Sequence, residues 1–174
     1  MNDEANNIIQ HCKIGEDNKL ALSTIEQNRD ASIALVIQAR YKLDIVSRDL
    51  DHPLYDNQAF YDAIKQLATS SPKAKIRILI QDSEKAVKQG HRLVNLARKL
   101  TSFIDIRLQS KPYKEFNEAW LIVDDKAWIR RPFADKYSAE VNCSAARQLR
   151  DIGKEFDSMW NESSSDPNLR QLSL

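Results

Sequence analysis

The stretch Phe116-Asn117-Glu118-Ala119-Trp120-Leu121-Ile122-Val123-Asp124-Asp125-Lys126-Ala127-Trp128-Ile129-Arg130-Arg131-Pro132-Phe133 sets two short apolar runs on either side of an acidic turn. It reads as a β-hairpin turning at Asp124-Asp125-Lys126, because acidic residues favour tight turns. Asp124 follows the apolar strand Leu121-Ile122-Val123, so its carboxylate is expected near a strand end, where α/β folds place their sites. Asn117 is expected towards the other end, sharing that face only if the strand bends or bulges. Arg130 and Arg131 are planar donors suited to carboxylate or phosphate. A plainer account also fits: a turn, with arginines paired to surface acids.

On the N-terminal side, helices and strands alternate. Lys19–Ser23 reads as a first strand, and a helix follows from about Glu26 to Arg40, with Ile33, Val36 and Ile37 on one face. Leu43–Ser47 is a strand. Asn57 can cap a helix that buries Phe60, Ile64 and Leu67 and stops at Ser70-Ser71-Pro72. Lys75–Ile80 is the clearest strand. A helix carrying Leu93, Leu96, Ala97 and Leu100 precedes the strand Ile104–Leu108. A last helix over about Ser144–Asn161 buries Leu149, Ile152, Phe156 and Met159/Trp160. Strands separated by helices imply βαβ units, and the hairpin adds an antiparallel element. The expected fold is therefore α/β, a mixed, largely parallel sheet flanked by helices. Residues 1–19 read as a polar N-terminal arm, loosely docked or mobile, residues 20–162 as the domain and 163–174 as a C-terminal tail. Ile8-Ile9 is the arm's one apolar patch, and Leu169, Leu172 and Leu174 are positioned to dock the tail.

With 174 residues, 42% of them hydrophobic and 29% charged, the chain has the composition of one soluble globular domain. No apolar run approaches the ~20 residues that span a bilayer. The start Met-Asn-Asp-Glu-Ala-Asn-Asn is the opposite of a signal peptide's basic one, so cytoplasm is the expected location. Cys12 and Cys143 read as buried or idle thiols. With the scattered His11, His52 and His91 they form no metal pattern, and neither metal nor cofactor is expected. Formal net charge is +1, yet Lys85–Lys114 holds eight Lys or Arg against one acid, Asp105. That segment could attract phosphates, although a solvated helix face balanced by acids elsewhere is the simpler account.

The order of elements over roughly residues 20–162 resembles half of a phospholipase D-like domain. The cues are Lys42–Ser47 followed by Leu50-Asp51, Ala74–Leu79, Gly90 leading to Ile104–Arg107, Leu121–Lys126, and the closing Phe156–Trp160 helix. Members carry His-x-Lys-x4-Asp around the strand before the turn: the histidine attacks phosphorus, the lysine grips phosphate and the aspartate supports the site. Carried over, the motif keeps only Asp124. Asn117 stands at the histidine position and Ala119 at the lysine position, while Arg130-Arg131-Pro132 replaces the small Gly-Ser segment. An amide is no substitute for an imidazole nucleophile, and alanine cannot neutralise phosphate. The resemblance extends to an uncharacterised bacterial group of degenerate phospholipase D-like domains through Gly90–Leu93, Leu96–Leu100 and Asp166–Arg170. It implies that such domains can occur beside acetyltransferase domains.

These readings imply a non-catalytic domain that binds an anionic, phosphate-containing or nucleic-acid ligand, or a protein partner. Asp124 and Asn117 would line its pocket with Arg107, Lys126, Arg130 and Arg131. One alternative is a scaffold or homodimer built on a sheet edge or apolar patch. Another is a phosphodiesterase-like enzyme using altered residues such as His91, flanked by Arg92; helix capping or surface exposure is the plainer reading of His91. Trp120, Trp128 and Trp160 are assigned to the core by default.

Overall fold

The computed structural model describes residues 11–170. Capping signals in the sequence fix where the main helices start. Helix α1 (Ile25–Ile37) begins at Thr24, whose hydroxyl accepts from Gln27 N while the Gln27 side chain accepts from Thr24 N, a capping box. Helix α3 (Gln58–Ser70) begins at Asn57, whose Oδ1 accepts from Phe60 N, and it buries Phe60, Ile64 and Leu67. A short helix, α2 (His52–Tyr55), precedes it. Helices α4 (Glu84–Lys88) and α5 (Arg92–Lys99) precede strand β4 (Ile104–Leu108).

Among the described residues the sheet has eight strands. Besides β4 these are β1 (Lys19–Leu22), β2 (Lys42–Ser47), β3 (Lys75–Ile80), β5 (Ala119–Val123), β6 (Ala127–Arg131), β7 (Ala139–Asn142) and β8 (Ser164–Ser165), in the order β1-β7-β6-β5-β2-β3-β4-β8. Only β2, β3 and β4 pair in parallel, joined by helical crossovers; every other pairing is antiparallel. The sheet is thus mixed, as expected, but its parallel part is confined to three strands. The connections from β5 to β7 are too short for crossovers, and the reading missed β7 and β8 altogether.

Strand alternation divides the side chains into two layers. Leu43, Ile45, Ile76, Ile78, Ile104, Leu121 and Ile129 meet helices α1 to α5 on one face. Val46, Leu79, Trp120, Ile122 and Trp128 meet helix α6 (Ala146–Glu162) on the other, through Leu149, Phe156, Met159 and Trp160. The three tryptophans are buried, as expected. Within the second layer Arg77 forms a two-pronged ion pair with Asp44, both contacts 2.8 Å, and a third contact of 2.9 Å to Asp157 of α6. Its guanidinium lies over Phe156 at 4.7 Å. Burial pushes the Asp44 carboxyl upward, against the pull of Arg77 and Lys42.

Two expectations are corrected here. Cys12 and Cys143 are not idle thiols: they form a disulfide, with Cα atoms 5.8 Å apart and no exposed surface. Sequence spacing could not show this, because 131 residues separate them. The arm is also not loose from Cys12 onward. Gly15 N donates to Cys143 O, Cys143 N to Asn18 O, and Gln38 Nε2 to Cys12 O. The Ile8-Ile9 patch lies outside the described residues, as do Leu172 and Leu174. Leu169, in helix α7 (Pro167–Arg170), is buried, and its carbonyl accepts from Arg98 Nε.

Candidate functional site

Because β5 runs antiparallel to β2, the two ends of the hairpin's first strand lie at opposite edges of the sheet. Asp124 therefore sits beside the start of β2, not at the C-terminal edge of the parallel strands. Its Oδ2 accepts from Arg40 N at 2.8 Å, and its Oδ1 accepts from Tyr41 N at 3.0 Å and Lys42 N at 2.9 Å. Asp124 and Asp125 both have φ of 53°, which suits a turn with left-handed central residues. The aspartate caps a strand and shapes a turn. Asn117 lies roughly 20 Å away by strand rise, at the opposite edge, and its Oδ1 accepts from Arg48 Nη2 at 2.8 Å. The expected Asp124–Asn117 pocket does not form.

The four proposed anion-binding cations also scatter. Arg107 pairs with Asp105 at 2.8 Å and lies over Trp160 at 4.4 Å. Arg130 is matched by Glu118, whose carboxyl burial would raise but hydrogen bonds from Arg130 and Trp120 hold low. Arg131 points to the other face of the sheet, and exposed Lys126 is in the distant turn. Of the basic segment, Lys88 pairs with Glu84, Arg92 with Asp56, and Arg98 donates to helix-end carbonyls, so local pairing accounts for much of that charge.

His91 is a structural cap. It is 1% exposed; Nδ1 accepts from Leu93 N at the start of α5, and Nε2 donates to Leu50 O, which fixes a neutral tautomer. Burial lowers its pKa. With both nitrogens engaged it has no lone pair for a substrate, so the altered-nucleophile reading loses its histidine.

A cleft of about 200 Å³ does open at the C-terminal edge of β2, and none of the sequence candidates except Arg131 lines it. Its wall carries Ser47, the last residue of β2, which is 2% exposed and whose Oγ has no hydrogen-bond partner among the described residues. Exposed Arg48 and Lys85 flank it. Buried Arg131 donates to Asp51 at 2.8 Å, and Tyr137 donates its hydroxyl to the other Asp51 oxygen at 3.2 Å. Burial, then Asp51, raises the Tyr137 pKa, which keeps that proton on the donor. Leu50 and Asp51 have φ of 67° and 27°, left-handed values that non-glycine residues adopt only when the surroundings hold them there. Ser47, Arg48 and Asp51 were missed, and Lys85 was noted only as part of the basic segment, because the rule that places sites beyond parallel strand ends was applied to β5 and not to β2.

A family model described as "Domain of unknown function (DUF7931)" matches residues 24–172. The chain belongs to that family. No curated protein matches it in sequence. Solved structures share its architecture. TrmBL2, an archaeal chromatin protein whose structure shows a novel mode of DNA binding, superposes with a TM-score of 0.64 at 11% identity; the match covers 95% of this chain and 61% of that one. NucT from Helicobacter pylori gives 0.63 at 16% identity, covering 87% and 100% of the respective chains. Nuc from Salmonella typhimurium, a phospholipase D family member, gives 0.60 at 12%, covering 87% and 99%. At these identities the likeness establishes the fold, which is phospholipase D-like. This chain spans under two thirds of the chromatin protein's length.

Proposed function

We propose that this chain is a phospholipase D-like domain without phosphodiester chemistry, which binds a phosphate-bearing ligand, a nucleic-acid strand foremost, along the C-terminal edge of β2–β4. The observation that carries the reading is the cleft at the end of β2, lined by Ser47 and Asp51 and flanked by exposed Arg48 and Lys85. Exposed Lys111 and Lys114 lie in the loop leaving β4 at the same edge, which lengthens the basic rim beyond one phosphate. Such a rim suits a polyanion backbone.

The resemblance to the His-x-Lys-x4-Asp motif explains why binding is proposed rather than cleavage. Asn117 and Ala119 lie at this edge, where the nucleophile and phosphate-gripping lysine would stand. Ala119 is the cross-strand partner of Arg131, and that guanidinium is already neutralised by Asp51. An ion pair with a tyrosine proton is left where the family's chemistry needs an unpaired cation and an imidazole. Asp49 and Asp135 also line the cleft, and Lys85 is 3.8 Å from Asp49. Binding is therefore weak and salt-sensitive. Cytoplasmic location remains part of the reading; disulfides persist mainly in oxidising surroundings, so it requires that reductants be kept from two fully buried sulfurs.

The test is fluorescence anisotropy with labelled single-stranded and duplex oligonucleotides, comparing wild type with an Arg48→Ala/Lys85→Ala variant. The variant is expected to bind about tenfold more weakly at low salt and to lower the log–log salt slope by about 1.5 to 2. No binding of either oligonucleotide, or equal affinity in both proteins, would remove the cleft from consideration.

A further inference from the structure

The loop between β6 and β7 walls one side of the cleft at the end of β2. It turns over Phe133-Ala134-Asp135-Lys136, where Lys136 N donates to Phe133 O at 3.0 Å, the bond that closes a β-turn. A second bond, from Ala134 N to Asn117 O at 2.7 Å, ties the turn to the segment entering β5. Arg131 Nη1 also donates to Lys136 O at 3.4 Å. The turn is thus held at three points. Its central residues, Ala134 and Asp135, line the cleft, and the flanking pair, Phe133 and Lys136, stands at the rim.

Phe133 is 52% exposed, and Lys136 Nζ lies 5.3 Å from the centre of its ring. A lone exposed phenylalanine is ordinary by itself, so its place decides what it means. The other exposed large hydrophobics, Ile37 and Tyr41, precede β2 and so lie towards the opposite edge of the sheet. Among the described residues, Phe133 is therefore the one large apolar side chain left open beside the cleft. Charge alone offers a polyanion little here, because Asp49 and Asp135 line the same cleft as Arg48 and Lys85. The rim adds a contact that does not depend on charge. A nucleobase stacks its π-face on an aromatic ring, while the adjoining phosphate meets a nearby cation. Bases inside a duplex are already stacked and present only their edges in the grooves, so such a ring serves an unpaired strand.

We propose that Phe133 is a base-stacking residue that selects single-stranded over duplex nucleic acid at this cleft. One base lies on the Phe133 ring, the phosphate beside it meets Lys136, and the strand continues past Arg48 and Lys85. The inference rests on the phosphate-binding reading of the cleft and adds to it a residue and a strand preference.

The experiment titrates fluorescein-labelled oligothymidylate, an abasic strand of equal length and a duplex into wild type, Phe133→Ala and Phe133→Trp, and follows anisotropy at low and moderate salt. Phe133 is exposed, so neither change empties the core. The alanine variant is expected to bind oligothymidylate about tenfold more weakly, with an unchanged salt slope because no cation is lost. Tryptophan should restore the affinity. The abasic strand and the duplex should bind all three proteins alike, and more weakly than oligothymidylate binds wild type. The proposal fails if the alanine variant holds oligothymidylate as tightly as wild type, or if it loses the abasic strand or the duplex by the same factor. It fails equally if wild type binds either of those probes as tightly as oligothymidylate. In each of these cases, salt-sensitive binding that Arg48→Ala/Lys85→Ala weakens would leave the phosphate reading standing. Absence of binding by every probe would remove that reading, and this inference with it.

Discussion

The Asp124 carboxylate receives three main-chain N–H groups at the start of β2, and alanine in its place strands all three. These donors are only partly buried and water can reach some of them, so Asp124→Ala should lower stability by about 1–3 kcal/mol in urea unfolding. Asp124→Asn keeps one acceptor oxygen and suits the left-handed φ of 53°, so its loss should be clearly smaller. If the alanine variant were as stable as wild type, the capping role would be wrong. His91 supplies a pH-dependent counterpart. Burial lowers its folded pKa from 6.5, so the unfolded chain takes up the proton first. Its stabilising contribution is complete above 6.5 and falls as the pH drops below that value until the folded ring also protonates. Nearby Asp56 favours the protonated ring, while His52 and Arg92 oppose it. Urea midpoints from neutral to mildly acidic pH should therefore decline, and less steeply in His91→Asn.

At the scale of elements, the disulfide joins the segment before β1 to the end of β7, closing a loop of sequence separation 131. Replacing both cysteines by serine should cost about 2–4 kcal/mol, mainly by freeing the unfolded chain. Urea midpoints of the oxidised wild type and the double variant would show it, and reductant should move only the wild type. The helix α6 docks through a buried charge as well as through Phe156 and Trp160. Arg77→Ala leaves Asp44 beneath the helix with Lys42, 3.4 Å away, as its remaining cation, and should destabilise by about 3 kcal/mol, whereas Arg77→Met should lose less if packing is retained. Helix caps and faces were readable because they depend on neighbouring residues: Asn57 before Phe60, Thr24 before Gln27. Strand β7 was not, since Ala139–Asn142 is short and owes its extended form to pairing with both β1 and β6.

For the whole molecule, writing the histidine and lysine of the phospholipase D-like pattern into the chain tests the proposed lack of phosphodiester chemistry. Asn117→His with Ala119→Lys should give no phosphodiesterase activity on bis(p-nitrophenyl) phosphate and should lower the thermal midpoint. Ala119 is 3% exposed and faces Arg131 across the strands, so a lysine there buries a second cation against one whose counter-ion is already engaged. Measurable turnover would show that the edge remains a competent phosphodiester site. The alternation of helix and strand, the apolar faces and the hairpin turn were all set within short windows of sequence, because capping, periodicity and turn preference are local. What only the tertiary structure decided was strand direction and long-range pairing. Antiparallel β5 carries Asp124 to the edge opposite Asn117, β7 brings Cys143 to Cys12, and Asp51 reaches Arg131 from a loop 80 residues away. Those outcomes depend on which distant surfaces bury one another, and no local preference encodes that choice.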